Sequence, residues 1–247
     1  MNILALAPIL FIAVTVQTTA GFGSVMISLA IGTLFWPVGL LLPIVVCMSM
    51  ALSAYILLRQ WRDVDYPFLL KTILPLMGLG IVAGFLLAPY FSPDKLRVLL
   101  GVIVTAAALR GLSQMLSSQS KDAVRNPIVS WLWIAGAGVV HGLLATGGPP
   151  LVYALEGARL GKAKFRSTLA AVWLVLNLVH VVRFVRSGAI ATSDLPLYAS
   201  LLPVLVLAVV LGEFCHSRVS ERHFRFTVFL LLSLAGMLLL LPFVVNW

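Results

Sequence analysis

Two stretches rich in small and hydrogen-bonding residues interrupt an otherwise apolar chain, QTTAGFGS at 17–24 and HGLLATGGPP at 141–150. Gly21, Gly23, Gly147 and Gly148 can adopt the φ values that a broken helix needs, and Pro149 and Pro150 suit the first turn of a new helix. A helix restarting there presents free N–H groups and the positive end of its dipole, which together favour a small anion. Gln17, Gly21, Phe22, Gly23 and Ser24 would line the first such site. His141, Thr146, Gly147, Gly148 and Pro149 would line the second, where the prolines remove donors and leave more of the work to the two glycines and the Thr146 hydroxyl. The competing reading is that these glycines only let helices pack closely. Their matching placement, each after the first apolar segment of its half, favours the site.

Other polar residues inside apolar stretches are expensive in a membrane and become candidates for the pathway. Asn177 and His180 lie three apart and share a helix face with Trp173, and Asn177 is the better candidate for lining a cavity. His141, Glu156 and Glu213 are the candidates for coupling a proton. Arg166 is placed at an inner vestibule and Arg183, with Arg186, at the outer end of the same helix, where they would attract anions or snorkel to the interface. Cys47 and Cys215 lie in apolar stretches without a partner motif and read as inert packing residues. The chain has no Walker A, GxSxG or HExxH motif and no metal-ligand cluster, so no cofactor or metal is expected. An intramembrane enzyme using His141 with Ser24 or Thr146 is the weakest reading, and an anion channel is the closer alternative to a carrier.

The elements that must position these residues follow from hydropathy. Of 247 residues, 61% are apolar and 10% charged, and mean hydropathy is +1.09, a balance no soluble domain shows. Apolar segments fall near 3–20, 23–35, 38–58, 70–90 and 97–116, then 129–146, 149–158, 167–185, 196–213 and 224–245. The polar stretch 117–128 separates five from five, giving a first repeat at 1–116, a cytoplasmic linker at 117–128 and a second repeat at 129–247. A shift of 128 residues brings Pro75 onto Pro203, Gly84 onto Gly212, Ser92 onto Ser220 and Arg97 onto Arg225. The segment opening the chain lacks a basic n-region and is expected to stay as a span.

Charge decides how the halves are oriented. With an odd number of crossings per half, thirteen of the 17 basic residues lie on one side and Lys95, Arg97, Arg183 and Arg186 on the other; even numbers leave no bias. The expected fold is therefore an all-α polytopic membrane protein of two inverted repeats. Each holds interrupted or re-entrant half-helices plus about three full spans, and both termini lie outside the cytoplasm. The surplus of nine positive charges is spread through short loops, so it marks membrane orientation and not a nucleic-acid partner.

The chain resembles the TauE/SafE, sulfite-exporter-like family over nearly its full length. The resemblance is carried by AGFGSVMISL (20–29), VDYPFLL with LMGLGIVAGFLLAPYFSPDKLRVLLG (64–101), HGLLATGGPPLVYAL (141–155), KFRSTLAAVWLVLN (164–177) and RFVRSGAI (183–190). It departs from many relatives in having Ala145 where they carry a further glycine. The resemblance implies transport, generally outward, of sulfite, sulfonates or similar anions across the bacterial cytoplasmic membrane. The combined expectation is a secondary transporter for such anions, bound at facing half-helix N-termini near the bilayer midplane, with a coupling proton or cation as a further partner.

Overall fold

The computed structural model describes residues 3–116, 127–155, 160–218, 220, 226, 229, 230, 233, 234, 236, 237 and 240. These residues form helices and connecting turns, with no strand among the described residues. The order is α1 (Ile3–Ala20), α2 (Ser24–Gly32), α3 (Val38–Gln60), the one-turn α4 (Tyr66–Phe68), α5 (Leu74–Leu87) and α6 (Pro93–Leu116). Then come α7 (Pro127–Leu144), α8 (Gly148–Leu155), α9 (Lys162–Arg186) and α10 (Leu195–Arg218).

Among the described residues, six stretches are long and apolar enough to cross a bilayer: Val38–Asp63, Tyr66–Tyr90, Asp94–Ser113, Pro127–Leu144, Lys162–Arg186 and Thr192–Arg218. The chain is an all-α, multi-pass membrane protein. α2 and α8, with 9 and 8 residues, reach only about 14 and 12 Å against a hydrocarbon core of about 30 Å, so neither crosses as a helix. Helices α9 and α10 run beyond their apolar stretches to include Lys162, Lys164 and Arg218, whose long stems keep a charged head at the interface. Most of the linker expected at 117–128 lies outside the described residues, as does much of the last apolar segment. Pro127 opens α7, where its missing amide hydrogen costs nothing.

The helices form two compact units, one of Met1–Leu69 with Lys162–Val219 and the other of Leu70–Gly161 with Ser220–Trp247. Each draws helices from both sides of the linker. In the first, α1 packs on α10 and α3 on α9, around a core of Val14, Leu52, Ile56, Ala170, Ala208 and Val209. Small and hydroxyl residues bring α1 and α10 together. A Cβ on Gly212 would collide with the Thr18 side chain, while Thr15 and Thr19 hydroxyls donate to Ala208 O (3.3 Å) and Gly212 O (3.2 Å) across the pair.

The second unit solves the same problem with glycine alone. Gly80 and Gly84 of α5 face Gly138 and Gly142 of α7, so that a Cβ on Gly80 would stand 2.8 Å from Gly138 Cα and one on Gly84 2.9 Å from Gly142 Cα. This is small-xxx-small packing on both helices, with backbone against backbone. Tyr153 of α8 fills the space beside it, edge-on to Trp133 of α7 at 4.6 Å and under the Arg110 guanidinium of α6 at 4.4 Å. Leu79, Val82 and Leu86 of α5, and Leu202, Val206 and Val210 of α10, are exposed, as lipid-facing residues must be.

Candidate anion site at the broken helices

In the first unit α1 stops because Gly21 turns into the left-handed region, at φ 86, and donates its amide to Gln17 O at 2.7 Å. Gly23, at φ 109, caps α2, whose Ile27 amide returns to Gly23 O at 2.9 Å. Helix α9 braces the break from one side. Trp173 Nε1 donates to Gly21 O at 2.8 Å, and a Cβ on Gly21 would stand 3.1 Å from Arg166 Cα. Glycine is needed at 21 for both conformation and space.

Around this break lies a buried, uncharged polar cluster. Gln17 Oε1 accepts from the Ser24 hydroxyl and from Ser49 Oγ (3.0 Å), while Gln17 Nε2 donates to Ser53 Oγ (3.4 Å). Asn177 Nδ2 donates to Ser49 Oγ at 3.2 Å, and Ser53 Oγ donates to Ser49 O at 2.7 Å. All five side chains are buried, and Asn177 Oδ1 has no partner. These bonds use one of the two hydrogens on each primary amide, so Gln17 and Asn177 each keep a second donor. The first-turn amides of α2 likewise have no acceptor within their own helix. The arrangement is a set of neutral donors beside the positive end of a short helix, which suits an anion.

Of the first-break candidates, the structure gathers Gln17, Gly21, Ser24 and Asn177 at this place, with Phe22 and Gly23 forming the turn itself. Ser49 and Ser53 escape sequence reading. They sit 32 and 36 residues from Gln17, and in α3 they resemble any small residues four apart on one helix face.

Arg166, expected in a vestibule, is 1% exposed, and its guanidinium bonds both oxygens of Glu213 across α9 and α10. Its Nε is buried and has no partner. One turn earlier Lys162 Nζ donates to His216 O at 2.5 Å, and His216 Nδ1 lies 2.9 Å from Thr19 O at the end of α1.

The second unit repeats the left-handed turn of the break with different chemistry. Ala145 takes the left-handed conformation, at φ 53, and donates to His141 O at 2.6 Å. Thr146 and Gly147 are the link, and Gly148 starts α8 with Pro149 and Pro150. Gly147 is packed on α7, a Cβ there meeting Ala137 O and lying 3.0 Å from His141 Cβ. His141 is fully buried, and the buried Thr146 Oγ1 has no partner. Of the remaining candidates, Glu156 lies outside the described residues, and Arg183 and Arg186 are exposed at the C-terminal end of α9. His180 is buried one turn beyond Asn177 and stacks obliquely on Phe184 at 5.7 Å.

An all-helical, multi-pass membrane protein whose helices break at two glycine-containing turns, one of them in a buried neutral polar cluster, is the class that the fold and site define. The chain belongs to the sulfite exporter TauE/SafE family, whose sequence profile matches residues 6–239. A relative from Cupriavidus necator, described as a probable sulfite/organosulfonate exporter TauE, is 24% identical over 236 residues, 94% of this chain and 91% of its own length. No solved structure matches the chain at a significant level.

Proposed function

We propose that this protein is a secondary transporter that exports small sulfur-containing anions, sulfite or organosulfonates, across the bacterial cytoplasmic membrane. Family membership and the description of the Cupriavidus necator relative support the cargo class. The observation that carries the reading is the buried cluster at the first break, where Gln17, Ser24, Ser49 and Asn177 surround the N-terminal end of α2 without a carboxylate among them. The anion binds there, held by second amide hydrogens and first-turn N–H groups. The Gly148 end of α8, with the Thr146 hydroxyl, is a second anion-attracting helix end in the other unit. An enzyme reading finds no support at Ser24, whose hydroxyl donates to an amide oxygen and not to a base.

An internal repeat belongs to the same reading. Helix bounds recur 124 residues apart: α1 and α7 end at 20 and 144, α2 and α8 begin at 24 and 148, and α3 and α9 begin at 38 and 162. The pairing of α1 with α10 is mirrored by that of α7 with α5. We take the copies as inverted, with both termini outside the cytoplasm, on the thirteen-to-four charge count. Cysteine labelling that found 125 and 162 on opposite sides of the membrane would overturn this topology.

The function is tested with purified protein in liposomes, measuring flux of sulfite and of isethionate, with acetate as the carboxylate control. The reading expects saturable flux of the sulfur anions and little of acetate. Flux that rises without saturation would make the protein a channel, and equal flux of acetate would remove the sulfur-anion assignment.

A further inference from the structure

The buried Arg166–Glu213 pair is more than the fold requires, because a buried ion pair gains little over apolar packing once its desolvation is counted. Three features give it the form of an exchange device. Arg166 is among the most buried large side chains of the molecule and keeps its Nε hydrogen without an acceptor. Its own backbone and stem form the wall against which Gly21 packs, so the residue that carries the cation stands directly beside the first break. Its partner is the less enclosed of the two, the Glu213 side chain being 30% exposed against 1% for Arg166, so the carboxylate lies at the edge of the packed interface while the cation stays inside.

We infer that Arg166 is shared in turn between Glu213 and the transported anion, and that Glu213 takes up a proton when it loses the arginine. The step balances in charge and atoms: the Glu213 carboxylate paired with the Arg166 cation, plus one anion and one proton from water, gives Glu213 carboxylic acid and an Arg166–anion pair. A buried cation is never left unpaired, and neither is an unpaired carboxylate left ionised in a dry site. One proton therefore enters with each monovalent anion, and the loaded protein carries no added charge. The inference rests on the anion-transport reading above and adds the coupling ion and the residue that bears it.

Other groups on the surrounding elements could titrate instead. They are Cys47, Tyr55 and Arg59 on α3, Arg62 and Asp63 in the turn after it, Lys162, Lys164, His180, Arg183 and Arg186 on α9, and Tyr198, Cys215, His216 and Arg218 on α10; α1 contributes no titratable side chain. Lys164 is engaged with Asp65 at 3.3 Å. His216, beside Thr19 O and close to the pair, is the competitor that the test must separate.

The test uses isethionate, whose single negative charge does not change between pH 5 and 8, so that any proton taken up belongs to the protein. Binding to purified full-length protein is followed by calorimetry in weakly buffered solution together with proton uptake by an indicator dye. The expected result is about one proton per anion, with Kd rising about tenfold per pH unit where uptake occurs. Glu213→Gln should bind with no proton uptake and no pH dependence, His216→Asn should behave as wild type, and Arg166→Lys should weaken binding at least tenfold. Should Glu213→Gln fail to fold, Glu213→Asp serves instead, with uptake retained at a shifted pH. Binding without proton uptake, or uptake lost in His216→Asn and kept in Glu213→Gln, overturns the exchange and leaves the transporter reading standing. If wild type binds neither isethionate nor sulfite, the transporter reading fails and takes the exchange with it.

Discussion

The break after α1 and the break after α7 share a left-handed turn and differ in nearly every side chain that matters. Both turn on a left-handed residue whose amide returns to the carbonyl four residues back, Gly21 to Gln17 and Ala145 to His141, but the first break has a second left-handed residue, Gly23, before its new helix and the second has none at Gly147. The first is lined by five buried polar side chains bonded to one another. The second places its glycine hard against α7 and starts its new helix with two prolines that have no hydrogen to give. A shared turn therefore does not carry shared chemistry: what sets the proposed site at the first break apart is the lining that α3 and α9 bring to it.

Substitutions at equivalent places should break that comparison by amounts the geometry sets. Gly21→Leu has the largest effect, because it adds a side chain at positive φ and drives it into the Arg166 backbone; the loss is about 4 kcal/mol or more, read as failure to recover folded protein. Gly23→Ala meets nothing closer than 3.7 Å and carries only the conformational term, about 1–2 kcal/mol, read as a lowered thermal midpoint in detergent.

Next comes Gln17→Leu, which leaves the Ser24 and Ser49 hydroxyls without their acceptor and costs about 3 kcal/mol. In the second break, Thr146→Val removes a hydroxyl that has no partner and should change stability by less than about 0.5 kcal/mol. The two unfolding midpoints measured side by side test whether the polar cluster belongs to one break alone. One further effect has the opposite sign. Ala145→Gly relieves a left-handed alanine and should stabilise by about 1 kcal/mol; a lowered midpoint would show that the alanine methyl packs usefully.

Hydropathy made the fold class legible, and glycine and proline marked both breaks to within a residue or two, since these are local properties of the chain. Ala145 shows the limit of that signal. Glycine-based reading points to Gly147 as the flexible residue, yet the turn falls two residues earlier, where the offset from Gly21 places it. The lining was legible only in part. Gln17 and Asn177 stand out as amides in apolar stretches, whereas Ser49 and Ser53 are ordinary small residues until folding brings α3 beside α1. Arg166 and Glu213, 47 residues apart, look separately like an interfacial cation and a span-end acid, and only the pairing of α9 with α10 joins them. Gly80, Gly84, Gly138 and Gly142 did carry a readable signal, a matched four-residue spacing, which the search for breaks passed over.

The central claim is that the anion is held at the first break by the amides of α1 and α9. Asn177→Leu tests it most directly, because Asn177 makes a single bond within the cluster and its loss should leave the fold intact. The measurement is the initial rate of isotope-labelled isethionate flux into liposomes, wild type against Asn177→Leu at equal amounts of folded protein. A fall of at least tenfold is the predicted result. An unchanged rate and an unchanged half-saturating concentration would contradict the account and move the site away from the α1–α2 break.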